Sequence, residues 1–454
     1  MSIDAFKAQI RQKKVVVAGI GVSNMPLIQF LVHCGAQVTA CDKKEEKQIA
    51  GIPLLKNLGV TVQCGDSYLD HLQCDYFFRT PGMHPELTEI QRLRENGAVI
   101  TSEMELFFSL CPAQIIAVTG SDGKTTTTTL IFKILQQAGY QCWLGGNIGK
   151  PLIGEVEQIQ PEDKVIVELS SFQLTTMKQS PSIAVMTNIT PNHLDWHSSM
   201  DEYILAKQQI FLHQKPGDRV ILNYDDAQTR SFAQETPGKS LFFSRKQRLE
   251  EGVYFENGAI WQSQNGELEK ILDTDQIRIP GVHNIENYMA AIAAVRHMVS
   301  AQDIVTVAKT FEGVAHRIEF VEEKGGVRFY NDSIASSPTR TAAALNAFDE
   351  KVILIAGGYD KKIPFDDLGK LIQQRVKCLV LNGATSGKIK SAVETAGDAV
   401  PIFLCKDLQH AVQKAYEQAA EGDVVLLSPA CASFDQFPNF EHRGNAFKDY
   451  VNEL

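Results

Sequence analysis

A glycine-rich stretch near residue 120 contains the residue types that bind phosphate groups in proteins. The apolar residues 115–118 predict a buried strand, and the segment Thr-Gly-Ser-Asp-Gly-Lys-Thr follows at residues 119–125. Apolar residues at helical spacing over 130–135 predict a helix after this segment. A strand, a turn of bare backbone amides and a helix N-terminus together form an anion-binding site. We therefore predict a phosphate-binding loop at this point of the chain.

Two side chains of this loop suit nucleotide chemistry. Lys124 supplies a positive charge for terminal phosphates, and the hydroxyl of Thr125 is in the position that binds Mg²⁺. The motif is partial, because Val118 occupies a position where the full pattern has glycine. The alternative interpretation is an ordinary glycine turn followed by a surface lysine.

Polar residues follow two further apolar runs of the central region. Residues 165–169 and 183–186 are typical of strands in a parallel sheet that is covered on both faces. Such sheets bind ligands beyond the carboxyl ends of their strands, which makes Glu168 a candidate Mg²⁺ ligand rather than a solvated carboxylate. His193 lies in the polar segment after the second run, together with Asp195 and His197. A zinc site is disfavoured because no further ligand lies close in sequence, and a structural role for the histidine stays open.

Other polar residues of the central region have two interpretations each. Residues 145–149 form a second glycine-rich loop, either a ligand contact or a turn. Residues 201–213 predict a helix that carries Lys207, and its spacing alone indicates only a solvated lysine. A helix is predicted over 285–299, with Asn284 as its N-cap and Asn287 facing either the core or a nucleotide base. Residues 218–278 predict short strands that form an insert or a sheet edge.

The first hundred residues have the pattern of a dinucleotide-type βαβ unit. A strand over 14–18 runs into Gly19, a helix is predicted over 23–33, and a strand over 37–41 ends at Asp42. The glycine fingerprint is imperfect, since Asn24 occupies its third glycine position, so NAD binding and a simple tight turn both remain possible. Strands are also predicted at 60–64, 74–79 and 99–101, with the turn Thr80-Pro-Gly after the second of these and a short helix over 103–110.

The alternation of strands and helices restarts near residue 320 and predicts a doubly wound sheet. Strands are predicted at 327–330, 352–356, 378–381, 402–404 and 424–427, and helices at 339–347, 366–374, 387–395, 407–420 and 440–451. Three polar turns share one edge of this sheet, at 331–333, 357–361 and 428–433. They indicate a second ligand surface, on which Lys361 and Ser433 together suit a carboxylate. Ordinary loop chemistry is the alternative.

Length and composition indicate a globular α/β protein of about three domains, at roughly 100–200 residues per domain. We predict domains over 1–110, 111–313 and 314–454: a Rossmann-like N-terminal domain, a central P-loop-type domain with a parallel or mixed sheet, and a doubly wound C-terminal domain. The formal net charge of −10 argues against nucleic acid or an anionic membrane as a partner. The nine cysteines include no Cys-x-x-Cys pair and suit a reduced, cytoplasmic protein. No signal peptide and no membrane-spanning run is predicted.

With these segments in place, the chain resembles the Mur ligases of bacterial peptidoglycan synthesis over its full length. The matching segments are 119–125, 168–174, 188–195, 281–287, His316-Arg317, 331–333 and 427–444. The last of them, Leu-Ser-Pro-Ala-Cys-Ala-Ser-Phe-Asp-Gln-Phe and its continuation, is typical of the members that add D-glutamate. The resemblance implies UDP-N-acetylmuramoyl-L-alanine and D-glutamate as substrates, ATP and Mg²⁺ as cofactors, a cytoplasmic monomer, and amide formation through an acyl phosphate.

The resemblance also implies roles for individual residues. Lys124 would hold the γ-phosphate, Thr125 and Glu168 one Mg²⁺, and His193 and Lys207 a second, with the lysine carbamylated. ATP would be contacted by the loop and by residues beyond it: Gly120, Ser121, Asp122, Gly123, Lys124, Thr125, Thr126, Asn147, Asn287, Arg317 and Asp332. The uridine nucleotide would lie near Val22, Ser23, Asp42 and Gly82, and D-glutamate near Ser336, Lys361, Ser433 and Phe440. Ile334 is a departure, because some members have a lysine at this position.

Four alternatives to a D-glutamate-adding Mur ligase stay open at this stage. A sister Mur ligase or a folylpolyglutamate-type ligase would use another acceptor or amino acid, and the Rossmann-like first domain disfavours the second. A nicotinamide oxidoreductase would use residues 15–42 and would leave Lys124 without a role. A nucleotide-gated binding protein would use the loop without chemistry.

Overall fold

Three β-sheets joined by α-helices make up the chain in the computed structural model, which describes residues 1–191 and 196–454. The described residues divide into two compact units: Met1–Gln276 with Ile285–Val307, and Ile277–Asn284 with Ala308–Leu454. The first unit contains the first two sheets and the second unit contains the third. Among the described residues no helix has the length and apolar character needed to cross a membrane.

The first sheet has five parallel strands in the order β3-β2-β1-β4-β5. Apolar runs predicted these strands because both faces of a parallel sheet are covered. The strands are β1 (Lys14–Ala18), β2 (Gln37–Asp42), β3 (Thr61–Cys64), β4 (Tyr76–Arg79) and β5 (Val99–Ser102). The helices of this region are α1 (Ile3–Ile10), α2 (Asn24–His33), α3 (Ile52–Asn57), α4 (Thr88–Glu95) and α5 (Glu103–Leu110).

The central sheet has nine strands in the order β14-β13-β12-β11-β10-β9-β6-β8-β7. Its strands are β6 (Gln114–Thr119), β7 (Cys142–Gly146), β8 (Lys164–Glu168), β9 (Ile183–Met186), β10 (Arg219–Asn223), β11 (Lys239–Ser244), β12 (Gly252–Glu256), β13 (Ala259–Gln264) and β14 (Glu267–Asp273). Pairing is parallel except at the antiparallel pairs β12–β13 and β13–β14. Strands β10 to β14 therefore form one side of the sheet, which is the second of the two alternatives that the sequence leaves open. The helices are α6 (Lys124–Gln137), α7 (Ser171–Leu174), α8 (Met200–Leu212), α9 (Ala227–Ser231), α10 (Val282–Val295) and α11 (Ala301–Thr310).

The third sheet has the order β15-β16-β20-β17-β18-β19, parallel except for the antiparallel edge pair β15–β16. Its strands are β15 (Glu319–Lys324), β16 (Val327–Asn331), β17 (Val352–Ala356), β18 (Val376–Leu381), β19 (Ile402–Leu404) and β20 (Val424–Leu427). The helices are α12 (Pro338–Leu345), α13 (Asp366–Arg375), α14 (Ser386–Ala396), α15 (Leu408–Glu417) and α16 (Phe440–Asn452). Helices alternate with the parallel strands, which confirms the predicted doubly wound sheet.

Two local predictions are wrong. Asn284 is not an N-cap, because α10 already begins at Val282 and the Asn284 side chain donates to the Pro280 carbonyl at 2.6 Å. Gly281, with φ of 96°, supplies the left-handed turn before the helix instead. The glycine-rich segment 145–149 is only partly a loop, since Gly145 and Gly146 pair with β8 at the end of β7. The predicted domain boundaries at 110/111 and 313/314 remain predictions.

Candidate active site

The phosphate-loop segment joins β6 to α6, as the sequence predicts. Gly120 and Gly123 adopt φ of 146° and 77°, and Gly123 is the residue before the first turn of α6. A side chain at Gly120 would collide with the Thr187 hydroxyl, and one at Gly123 with the Asn287 amide. Glycine is therefore required at both positions by backbone conformation and by close packing.

The loop is fixed by the segment after β9. The Ser121 amide donates to the Asn188 carbonyl at 2.9 Å, and the Asp122 amide donates to Asn188 Oδ1 at 2.9 Å. Thr187 Oγ1 donates to the Asp122 carbonyl at 2.5 Å. The loop is thus braced from a neighbouring strand end, which is the arrangement that holds its conformation for a ligand.

The Lys124 ammonium lies over its own loop. Its Nζ donates to the Gly120 carbonyl at 3.1 Å and to the Ser121 carbonyl at 2.9 Å. A phosphate oxygen bound in the loop can replace one of these carbonyl oxygens as a hydrogen-bond acceptor of the lysine. Thr126 is buried on the first turn of α6.

Glu168 is a buried carboxylate at the end of β8, and it is only 2% exposed. The Thr125 hydroxyl donates to its Oε2 at 2.7 Å, and Asn147 Nδ2 donates to its Oε1 at 2.8 Å. The structure therefore brings together the predicted residues Thr125, Asn147 and Glu168. A carboxylate with a hydroxyl beside it is the hard oxygen donor set that suits Mg²⁺.

Asn287 lies on α10 and contacts α6, where Thr127 Oγ1 donates to Asn287 Oδ1 at 3.2 Å. Its amide also faces Gly123 closely. Asn287 therefore lies beside the phosphate loop, within the first unit, and its contact with ATP stays a prediction.

Lys207 is 2% exposed on α8, contrary to the solvated face that helical spacing alone indicates. Its Nζ donates to the Gly120 carbonyl at 2.7 Å and lies 3.3 Å from Thr119 Oγ1. Burial lowers the pKa of Lys207 well below its usual range, and the positive charge of Lys124 lowers it further. The amine is consequently driven towards its neutral, nucleophilic form.

His193 is one of residues 192–195, which lie outside the described residues, so its role as a metal ligand stays a prediction. Within 1–191 and 196–454 there is no cluster of three or more His, Cys, Asp or Glu side chains that suits a metal. His197 has a structural contact instead, since its Nε2 and Ser171 Oγ share a hydrogen bond at 2.9 Å.

In the first sheet, Asp42 braces the turn after β1. Its Oδ2 accepts from the Ile20 amide at 2.7 Å, and its Oδ1 accepts from the Lys44 amide at 2.9 Å. Val22 is 82% exposed on this turn, and Ser23 precedes α2 without a side-chain capping bond. The imperfect fingerprint has a structural reason: Asn24 Nδ2 donates to the carbonyls of Ala18 and Gly19, both at 3.0 Å.

In the third sheet, Asp332 follows β16 and is 4% exposed. Burial raises its pKa to about 7, whereas the hydrogen bond from Ser428 and the charge of Arg317 act in the opposite direction. The Ser428 hydroxyl donates to Asp332 Oδ2 at 2.7 Å. Arg317 and Asp332, predicted to contact ATP, therefore lie close enough to interact electrostatically.

Of the four residues predicted to face D-glutamate, three lie in loops after strands of the third sheet and the fourth begins a helix. Lys361 Nζ donates to the Ser336 carbonyl at 3.3 Å and to its hydroxyl at 3.4 Å. Ser433 is buried beside Ala432, whose carbonyl accepts from the Tyr359 amide at 2.8 Å. Phe440 begins α16, and its carbonyl accepts from Ser333 Oγ at 2.8 Å.

Sequence reasoning missed the role of Arg443, which it used only as part of a motif. Its Nε donates to Ser333 Oγ at 3.0 Å, and its Nη2 donates to the carbonyls of Ser333 and Cys431 at 2.8 and 3.0 Å. This guanidinium fixes two of the three polar turns to each other. The signal available in the sequence was an arginine within the motif 427–444 to which no ligand was assigned.

Comparisons with known proteins identify the family of the chain. Residues 118–295 match the family model of the Mur ligase middle domain, and residues 316–431 match that of the Mur ligase, glutamate ligase domain. The chain belongs to the Mur ligase family, a class of ligases that form amide bonds.

Relatives within the family are similar over their whole length. The UDP-N-acetylmuramoylalanine–D-glutamate ligase of Ruminiclostridium cellulolyticum is 52% identical over 460 residues, covering 100% of this chain and 99% of the relative. The ligase of the same name from Acetivibrio thermocellus is 53% identical over 461 residues, with the same coverage.

Solved structures show the same fold. UDP-N-acetylmuramate-alanine ligase of Thermotoga maritima has a TM-score of 0.61 at 19% identity, covering 97% of this chain and 99% of that one. E. coli FolC in complex with ADP has a TM-score of 0.56 at 17% identity, covering 77% and 92%. The three-domain α/β fold class is therefore confirmed.

Proposed function

We infer that this chain is an ATP-dependent ligase that joins D-glutamate to UDP-N-acetylmuramoyl-L-alanine in the synthesis of peptidoglycan precursors. The main support is the phosphate loop, in which the Thr125 hydroxyl donates to Glu168. It occurs in a chain that shares about half of its residues with D-glutamate ligases over its full length. The acceptor carboxylate attacks the γ-phosphorus of ATP, and ADP leaves. The amine of D-glutamate then attacks the acyl carbon, and phosphate leaves.

We propose that the chain's own residues prepare the first step. Lys124 and the loop amides bind the triphosphate and offset the charge that develops on the γ-phosphoryl group. Asn287 positions the nucleotide beside α6, with Arg317 and Asp332 as further contacts. Val22, Ser23, Asp42 and Gly82 bind the uridine nucleotide. Asp42 ends β2 and the other three residues follow β1 or β4, so all four lie at the carboxyl ends of neighbouring strands, which supports this role.

Mg²⁺ fits the strand end that carries Glu168. The buried carboxylate and the Thr125 hydroxyl are the residues that would hold it, and bound there it would neutralise phosphate charge. His193 and a carbamylated Lys207 are proposed for a second ion. A neutral lysine amine adds to carbon dioxide, forming an N–C bond, and loses a proton to solvent to become an anionic carbamate; the lowered pKa of Lys207 supports this conversion.

D-Glutamate is proposed to bind at Ser336, Lys361, Ser433 and Phe440, where an ammonium and hydroxyls suit carboxylates. Ile334 leaves Lys361 as the proposed cation of this set. We further propose that residues 1–110, 111–313 and 314–454 act as the nucleotide-substrate, ATP and amino-acid modules of a cytoplasmic monomer.

A substrate panel tests this function. Phosphate release should require UDP-N-acetylmuramoyl-L-alanine and D-glutamate together, and labelled oxygen should pass from the acceptor carboxylate into inorganic phosphate. Release with L-alanine or a diamino acid in place of D-glutamate would assign the chain to a sister activity. Absence of label in phosphate would contradict the acyl phosphate.

A further inference from the structure

Arg79 is a buried cation at the end of β4, directly before the turn Thr80-Pro81-Gly82. It is 1% exposed, although arginine is almost never fully buried unless it is paired. Its Nη1 donates to the carbonyls of Pro81 and Met83, both at 3.1 Å. One amino group of the guanidinium therefore holds the shape of the turn that follows it.

The other amino group reaches the central sheet. Nη2 of Arg79 donates to the Phe172 carbonyl at 2.9 Å and to Thr176 Oγ1 at 2.9 Å. The Thr176 hydroxyl in turn donates to Glu105 Oε2 at 3.2 Å. Burial lowers the pKa of Arg79, and the charge of Glu105 opposes this. A hydroxyl from the segment after α7 thus bridges a cation and a carboxylate of the first-sheet region.

Trp196 holds the same turn from its other side. Its Nε1 donates to the Gly82 carbonyl at 3.0 Å, and its ring packs against Phe172 and His84 at centroid distances of 4.7 and 4.8 Å. Phe172 therefore contacts both Arg79, through its carbonyl, and Trp196, through its ring. The turn 80–83 is held between two side chains that meet on α7.

We propose that Arg79 and Trp196 are positioning residues that set the place of the uridine-nucleotide turn relative to the phosphoryl-transfer site. α7 begins three residues after Glu168. A contact between the turn 80–83 and α7 therefore fixes the distance from this turn to the end of β8, where the nucleotide is proposed to bind. The inference rests on the proposed function, in which Gly82 contacts the uridine nucleotide. Reacting atoms need to lie about 3 to 3.5 Å apart, and a displacement of about 1 Å can cost 100-fold in rate.

Single-contact variants separate positioning from general stability. Thr176→Val removes the hydroxyl between Arg79 and Glu105 but leaves the bonds of Arg79 inside the turn. Trp196→Phe removes the indole donor to Gly82 and keeps an aromatic ring. Thr175→Val is the matched control, because Thr175 Oγ1 donates at 2.8 Å to the Ser171 carbonyl within the same segment.

The measurement is phosphate release in the full-length enzyme, titrated separately with UDP-N-acetylmuramoyl-L-alanine and with ATP. We expect kcat/KM for the uridine nucleotide to fall about tenfold or more in Thr176→Val and in Trp196→Phe. KM for ATP should stay within about twofold, and Thr175→Val should behave as wild type. A lower Tm with kcat/KM for the uridine nucleotide and KM for ATP both unchanged would overturn the inference and leave a structural role.

The outcomes distinguish this inference from the function on which it rests. If the wild-type enzyme releases no phosphate with the two proposed substrates, the proposed function fails and the inference fails with it. If the wild type is active and both single-contact variants match it, only the positioning role fails. Trp196 is partly exposed, so its variant keeps the test decisive even if Thr176→Val does not fold.

Discussion

Individual side chains in this enzyme owe their chemistry to what surrounds them. Lys207 sits on an ordinary helix, and only burial beside Gly120 and Lys124 makes its amine unusual. Asn24 occupies a fingerprint position where glycine is usual, and its side-chain amide donates hydrogen bonds to two backbone carbonyls. Residue type alone therefore does not define a role, and substitutions at this scale test the roles most directly.

Replacing Lys124 with alanine should remove the charge that faces the terminal phosphates. Loss of one preorganised charge-stabilising donor costs about 100- to 1,000-fold in kcat, and we expect a loss of this order in phosphate release. Lys133→Ala, an exposed lysine on the same helix α6, is the control and should keep normal activity. Amide formation at a near wild-type rate in Lys124→Ala would show that the loop is not part of the chemistry.

Lys207→Ala should abolish activity, and added short-chain carboxylates should restore part of it. The physical reason is that a free carboxylate can occupy the space of the proposed carbamate and supply its charge. Leu205→Ala, 57% exposed on the same helix, is the control. Unchanged activity in Lys207→Ala would remove this residue from the site, and inactivity without rescue would argue against the carbamate.

The ends of strands and the start of a helix position the side chains of the central site. β6, β8 and β9 place Thr119, Glu168 and Thr187 at one edge of the central sheet, and α6 starts there with a glycine in the left-handed region. Two glycines flank this helix: Gly123 before it, and Gly139 just beyond its end. Only at Gly123 would an added Cβ meet neighbouring atoms, so substitutions at the two glycines separate the effect of packing from that of backbone conformation.

Gly123→Ala should abolish ATP binding, whereas Gly139→Ala should leave it intact. Both residues have positive φ, 77° and 88°, so each alanine should cost about 1 kcal/mol of folding free energy. At Gly123 the new Cβ also collides with the Asn287 amide, but at Gly139 no atom lies within 4 Å. Calorimetric ATP titration of the two variants checks this, and equal affinities would contradict the packing argument.

Sequence patterns predicted elements well where burial is continuous and poorly where partners are distant. β9, β17 and α5 match their predicted ranges, because apolar runs and capping are local signals. Arg79 has its partner Thr176 97 residues away, and no spacing rule reveals such a contact. The start of α10 was missed because a left-handed glycine preceded the asparagine that looked like a cap.

At the scale of the whole first unit, the two sheets share one apolar core. It includes Phe6 and Phe107 beside the first sheet, and Ile153 and Phe211 beside the central one. Glu103, 7% exposed, lies on this boundary, where its carboxylate accepts from the Ile153 amide and burial raises its pKa to about 7. Its Oε1 has no hydrogen-bond partner among the described residues.

Stability should therefore fall as pH rises from about 4.5 to 7. The unfolded chain ionises Glu103 first, so the folded state binds more protons across this window and loses up to about 3 kcal/mol above it. Glu103→Gln should remove this contribution, and its stability advantage over wild type should grow with pH and level off above 7. Urea unfolding at pH 5, 6, 7 and 8 measures the difference, and parallel profiles for the two proteins would contradict the prediction.

The continuous core has a consequence for how the chain can be divided. The N-terminal ammonium donates to the Ser109 carbonyl at 2.8 Å, so the two ends of the segment 1–110 are in contact. The apolar core of this segment nevertheless continues into the central region. A fragment ending near residue 110 would expose to water the apolar side chains that pack against the central region. Such a fragment should accumulate in inclusion bodies, so fragment screening needs the first two modules expressed as a single piece.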